Sequence, residues 1–410
     1  MATWETSARI FLRLCAPLGL TIFIAYLAVI ASMYADGRAA AERGEAPMFT
    51  DFTSLYAASM LVRQQPAADL YRPREMYQAG LRAAQAAYGG NLSEKQARAI
   101  GMNPWMYPPT FILLALPLAY LSYLPALVAW LALTAVPYLL AMRTILRDRS
   151  FWLIALAAPP VFYNLIYGQT GFLVAGLIAL GLAWLKPRPI LSGICIGLAS
   201  VKPHFGLLIP IALICGAHWV SFFSAVATIV AAVIVSMLVL GMDPWYGFLG
   251  TLFANLRGFE LGIYKWWVMP SVTGALHLMG VDLGLASRIQ VVATIGAAVA
   301  VGWAWWQAPH RNAPPALRYA VLCSASLLAV PLVYLYDLVL LVPAIAWLWI
   351  DMRDRGYRRW QAAALATACI GLLAAIKLGP AGPPYSVLLN GAVLAYALVR
   401  LGDSRRAPAN

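Results

Sequence analysis

Acidic side chains are scarce in this chain: 16 Asp+Glu stand against 29 Lys+Arg among 410 residues, and there are only four histidines. The five cysteines, Cys15, Cys195, Cys215, Cys323 and Cys369, lie in or beside apolar runs with no CxxC pair. They read as small core residues, and the scattered histidines supply no ligand spacing for a transition metal. No dinucleotide fingerprint and no P-loop occurs, so nothing marks a nucleotide site. Charged residues make up only 11% of the chain and apolar ones 62%, which excludes an ordinary soluble globular domain.

What is present is long apolar sequence. Runs close to the ~20 residues that cross hydrocarbon as a helix recur from Cys15–Tyr34 to Tyr385–Val399. In lipid every backbone N–H and C=O needs a partner, so these runs predict an all-α polytopic membrane protein of about twelve transmembrane helices in one domain, residues 1–410. The first run is too long for a signal-peptide core and is expected to stay as a span. The net charge of +13 suggests nucleic acid at first sight, but the basic residues fall in short loops. Arg9 and Arg13, Lys186 and Arg188, Arg311 and Arg318, Arg353 to Arg359, and Arg400 to Arg406 therefore predict cytoplasmic ends and loops. The segment 35–105 and a second loop, 242–282, then fall outside. Parity allows only three crossings between Tyr107 and Lys186, where four short helices are legible. Pro159 and Pro160 make Phe151–Phe162 the expected re-entrant piece.

The first outer loop has apolar residues at helical spacing, Phe52, Leu55, Tyr56 and Met60, then Tyr77, Leu81, Ala84 and Tyr88. Two amphipathic helices are predicted, suited to lying on the outer membrane face. Pro73 begins the second and Gly89–Gly90 end it, and Ser93 with Gln96 forms a capping box for a third.

Asp51, at the start of the first of these helices, reads either as an N-cap or as a general base at the water–lipid boundary. Lys202-Pro203-His204 sits between two short apolar stretches. Its lysine either snorkels to headgroups or offers charge to a phosphate. Asn164 and Gln169 could hydrogen-bond a sugar from the outer end of the proline-bearing segment. Tyr107-Pro108-Pro109 turns the chain back into the bilayer, with Tyr107 also a candidate contact. Asp337 interrupts an apolar stretch, and intramembrane carboxylates are candidates for function. In the second loop Arg257, Glu260, Tyr264, Lys265, Trp266 and Trp267 combine charge with rings that anchor in headgroups or stack on a sugar.

The ordered set Asp51-Phe52, Leu55-Tyr56-Ala57-Ala58, Leu70-Tyr71, Tyr107-Pro108-Pro109, Pro117-Leu118, Gly168-Gln169, Gly193 with Gly197-Leu198, and Lys202-Pro203 resembles glycosyltransferase family 87. That resemblance implies a GT-C-like bundle that moves a sugar, most often mannose, from a polyprenyl phosphate to a lipid or glycan acceptor. It implies Asp51 as base in an inverting displacement. Lys202, His204, Lys265 and Arg257 would bind the donor phosphate. Tyr56, Tyr107, Asn164, Gln169, Trp266 and Asp337 would bind substrate. No cofactor is expected, since acidic residues are so few, although a divalent metal serves some relatives of this superfamily. The implied setting is a bacterial inner membrane with the site facing the periplasm, surrounded by membrane lipids and without nucleic acid. A lipid-linked sugar flippase is the rival reading.

Overall fold

The computed structural model describes all residues except 1, 46–49, 89–95, 97–104, 261–263, 311–312, 358–359, 362, 364–380 and 405–410, with backbone alone at 2–12, 253, 255–257, 260 and 308–310. Its described residues form helices and no strands, as the bilayer requires. The chain runs through α1 (Ala2–Glu42), α2 (Phe52–Gln64), α3 (Pro73–Tyr88), α4 (Pro109–Ala115), α5 (Tyr123–Ile145), α6 (Ser150–Ala157), α7 (Pro159–Tyr167) and α8 (Gly171–Trp184). It continues through α9 (Pro189–Leu198), α10 (Ile209–Cys215), α11 (Trp219–Leu240), α12 (Asp243–Glu260) and α13 (Val272–Leu278). The last four helices are α14 (Leu283–His310), α15 (Pro315–Ala329), α16 (Leu341–Arg355) and α17 (Gly382–Asp403). Proline opens α3, α4, α7, α9 and α15, where its missing N–H costs nothing.

By length and composition six of these helical segments can cross a membrane, or seven with α6 and α7 taken together. The twelve expected crossings are not reached on length, because several apolar helices have only 10–17 residues. The segment after the first span is also shorter than expected, since α1 continues to Glu42 rather than ending near Tyr34. The predicted amphipathic helices are α2 and α3. Instead of lying on lipid, α2 is wrapped by protein, with Phe52, Ala57, Ala58 and Leu61 fully buried. The Gly89–Gly90 stop and Ser93 lie outside the described residues, as do Arg311, Arg358, Arg359, Cys369, Arg405 and Arg406. The expected capping box of Ser93 with Gln96 therefore lies outside the described residues, Gln96 apart. The Gln96 amide donates to the carbonyls of Ala41 and Glu45, at 3.3 and 2.9 Å, and ties the loop to the end of α1.

The parity conflict resolves differently from expectation. Asp148, just before α6, pairs with Arg353 at the end of α16 at 2.6 Å. Tyr167, at the end of α7, meets Tyr336 just before α16, with ring centroids 5.8 Å apart. The α6–α7 segment thus runs the full length of the 335–355 span, and its 48° bend marks a broken crossing rather than a re-entrant loop. Ala158, held extended ahead of Pro159, makes the break. The piece that does not cross is 109–120. Tyr107 before it bonds Gln169, and Tyr123 after it bonds Thr50 and Thr53, all at the Asp51 end.

Helix length shapes that end. The 14 residues of α8 reach about 21 Å at ~1.5 Å per residue, whereas the 23 of α5 reach about 35 Å. The short segments α8, 189–201, 203–215 and α15 begin or end near Gln169, Lys202 and Tyr334. The packing is close: Gly193 and Gly197 of α9 abut Ser221, Ser224, Ala225 and Thr228 of α11, the small-residue contact typical of membrane helices. Gly193→Leu is expected to lower stability by about 1–3 kcal/mol through overpacking. Gly391→Ala, where a Cβ meets open space, should not, and thermal unfolding in detergent checks both.

Candidate functional site

Asp51 precedes α2 with helical dihedrals, φ −61° and ψ −23°, and its side chain makes no capping hydrogen bond. The N-cap reading therefore fails on geometry, because a capping residue needs extended dihedrals to turn its oxygen onto the helix N–H groups. The carboxylate instead accepts from the Gln169 amide. Gln169 is oriented for this: its Oε1 receives the Tyr107 hydroxyl at 2.9 Å and the Thr170 N–H at 3.1 Å, which directs the NH₂ to Asp51. Gly168 makes the approach possible. It ends α7 in a left-handed conformation, φ +61°, and any Cβ there would strike Phe52 and Leu127. Two distant sequence pairs, Asp51-Phe52 and Gly168-Gln169, are thereby pressed together.

Behind them lies a buried ion pair. Lys202 Nζ donates to Asp337 Oδ1 at 2.7 Å, with side chains only 4% and 1% exposed. Lys202 occupies the junction of two short 3₁₀ turns, 199–201 and 203–206, with φ −121° and ψ 82°, outside the helical region ahead of Pro203. It does not snorkel, because its ammonium lies 4.5 Å from the centre of the Tyr336 ring inside the protein. Asp337, in the 335–340 turn, accepts the Tyr334 N–H on its other oxygen at 3.0 Å. It is thus no casual polar turn residue. Tyr334 and Tyr336 stack at 5.5 Å.

Burial pushes the Asp51 carboxyl up to about 6, against the pull of Lys202, the Gln169 hydrogen bond and Lys265, while Asp337 adds to the rise. Burial also raises the Tyr107 phenol, helped by the charges of Asp337 and Asp51, so it stays a donor to Gln169. A carboxylate of this kind is largely ionised near neutrality yet more basic than an exposed one, the condition for general-base work.

The structure gathers Asp51, Tyr107, Gln169, Lys202 and Asp337 into one cluster, and Lys265 acts on it from the segment between α12 and α13. Beside Lys202, the Nε2 atom of His204 is buried without a partner among the described residues. The same holds for both amide atoms of Asn164, fitted against Gly171, and for Trp266 Nε1. Unpaired buried polar atoms cost about 1–3 kcal/mol each and are the groups a polar ligand would satisfy. Tyr56 is not brought in: its hydroxyl donates to the Leu121 carbonyl at 2.7 Å and its ring packs on Tyr123. The Arg257 and Glu260 side chains lie outside the described residues. Sequence reasoning passed over Tyr334, Tyr336 and Tyr167, although the Tyr-x-Tyr-Asp pattern at 334–337 was there to be read. Among the described residues no three His, Cys, Asp or Glu side chains group to hold a metal ion.

The model of glycosyltransferase family 87 matches residues 105–331, more than half of the chain, and the chain belongs to that family. No curated protein and no solved structure matches. As a glycosyltransferase the chain joins a sugar from a donor to an acceptor.

Removing one member of the Lys202–Asp337 pair strands a buried charge, at a typical cost of about 3–5 kcal/mol. Lys202→Met should therefore unfold well below the wild type in a thermal scan. Adding Asp337→Asn, which removes the stranded charge, should recover a measurable part of that loss.

Proposed function

We propose that this glycosyltransferase takes its sugar, most simply mannose, from a polyprenyl-phosphate donor. It delivers that sugar to a lipid or glycan hydroxyl on the extracytoplasmic side of a bacterial inner membrane, with Asp51 as the base. The observation that carries this reading is the Asp51 carboxylate. It is freed from helix capping, aimed by Gln169 and raised to about 6.

In the proposed step Asp51 takes the proton of the acceptor hydroxyl. The acceptor oxygen attacks the anomeric carbon, and the bond from that carbon to the phosphate oxygen breaks with its electron pair going to the polyprenyl phosphate. Negative charge thus leaves the carboxylate and appears on the phosphate. Lys265, exposed and close enough to act on Asp51, is the natural cation for that phosphate. His204 stands ready to contribute a hydrogen bond. Lys202 already answers the charge of Asp337, so its proposed part is to position that aspartate and to set the field on Asp51. Arg257, on α12 of the same loop, remains a proposed phosphate ligand. Asn164 and Trp266 would meet the sugar, and Tyr107 would hold Gln169 in place. With donor charge met by lysine, the proposal includes no metal.

A lipid-borne donor suits a site set among short apolar helices, where an isoprenoid tail can stay in hydrocarbon. The proposed orientation rests on charge: Arg143, Lys186, Arg188, Arg353, Arg355 and Arg400 collect at the helix ends opposite Asp51.

The test is transfer by the purified protein in detergent from labelled polyprenyl-phosphate mannose, beside nucleotide-activated mannose, into extracted envelope lipids. Product is expected from the polyprenyl donor alone, and Asp51→Asn should lower the rate by at least about a hundredfold. Equal product from the variant would remove Asp51 from the chemistry. Product from the nucleotide sugar would overturn the donor. Donor binding without product, together with movement of the labelled lipid across vesicles, would favour a flippase.

A further inference from the structure

At the end of the bundle opposite Asp51 lies a cavity of about 680 Å³, bounded by Arg147, Arg188, Arg353, Trp184, Trp347 and Leu140. Two helical segments span the distance between the two places. The stretch from Gln169 to Trp184 links the Asp51 cluster to the cavity wall, and that from Asp337 to Arg353 does the same.

Charge in the cavity is not balanced. Arg353 is satisfied by Asp148 at 2.6 Å and Asp354 at 3.0 Å. Asp351 is taken by Arg355 and Arg400 at 2.6 and 2.7 Å. No carboxylate among the described residues pairs with Arg147 or Arg188. Arg188 instead rests 5.6 Å from the centre of the Trp184 ring. Behind the wall Arg318 is only 5% exposed and also lacks a carboxylate among the described residues. Its guanidinium meets the Trp305 ring at 4.8 Å and His218 Nε2 at 3.3 Å, and its Nε has no partner. A topology-setting excess of arginine accounts for a solvated basic rim. It does not account for a buried guanidinium without an anion behind an aromatic-lined cavity, where an unpaired charge is costly.

The cavity also has an apolar side. Leu140 is 46% exposed on the flank of α5, a span of mean hydropathy 1.9, so the opening faces acyl chains. We infer that the cavity binds the phosphate of an anionic diacyl lipid. The headgroup sits between Arg147 and Arg188 and the chains leave past Leu140. Basic pockets between membrane helices commonly hold such headgroups. The site is separate from the sugar-transfer cluster and does not depend on its assignment.

Native mass spectrometry of the full-length protein in detergent tests this, with phosphatidylglycerol, phosphatidylcholine or inorganic phosphate supplied. The wild type should retain phosphatidylglycerol in clear preference to phosphatidylcholine. Arg147→Gln with Arg188→Gln should cut that retention about tenfold, given the contribution of basic groups at an anionic headgroup. Leu140→Trp, which narrows the lateral opening without touching charge, should reduce it as well. Equal retention of the two lipids, or retention unchanged in both variants, would overturn the proposal. So would inorganic phosphate displacing the lipid at equal concentration, because the ligand would then be a soluble anion.

Discussion

Lysine and aspartate 135 residues apart, both shut off from water, meet at 2.7 Å where interrupted spans end. The geometry of the Asp51 end depends on this pair. Lys202 breaks the apolar run 190–215 into two short segments, and Asp337 begins the 335–355 span with a 3₁₀ turn. Neither charge is tolerable alone in that setting. Joined, they lock the junction of one broken segment to the start of another. The second oxygen of Asp337 holds the Tyr334 backbone, and Tyr336 lies under the ammonium. A rigid floor results, and it fixes the field in which Asp51 titrates.

Above that floor the contacts pass in sequence from Tyr107 to Gln169 to Asp51. Each link restricts the next: the phenol settles which way the amide faces, and the amide settles where the carboxylate points. Short helical segments begin or end at this assembly. A polar cluster among apolar helices is the environment the proposed lipid-borne donor requires, since its tail and its phosphate need different solvents. The same bundle ends, at its other face, in an excess of arginine.

Much of the candidate site was legible residue by residue. Asp51, Gln169, Lys202 and Asp337 are polar groups in apolar surroundings, and such residues are expensive enough to stand out. The all-helical class, the Pro73 start of α3 and the amphipathic helices α2 and α3 follow from composition and periodicity. What a single sequence does not carry is pairing. Lys202 could be read as snorkelling to headgroups or as offering charge to a phosphate, because nothing local points to a carboxylate 135 residues away. Length arguments also misplaced the non-crossing segment. Pro159 and Pro160 look like the stronger interruption, yet that chain continues through its bend, and it is 109–120 that turns back. Tyr56 matched a family pattern, but its hydroxyl is consumed by the Leu121 carbonyl.

The central claim is that this buried arrangement makes Asp51 a base suited to neutral pH. It is tested most directly by the pH dependence of sugar transfer under kcat/KM conditions. Protonated Asp51 cannot accept the acceptor proton, so the rate should fall tenfold per pH unit below a bend near 6. Gln169→Leu removes a hydrogen bond that favours the ionised form, and the bend should move to higher pH. A profile flat through that region, or a bend that stays in place when Gln169 is replaced, would contradict the account.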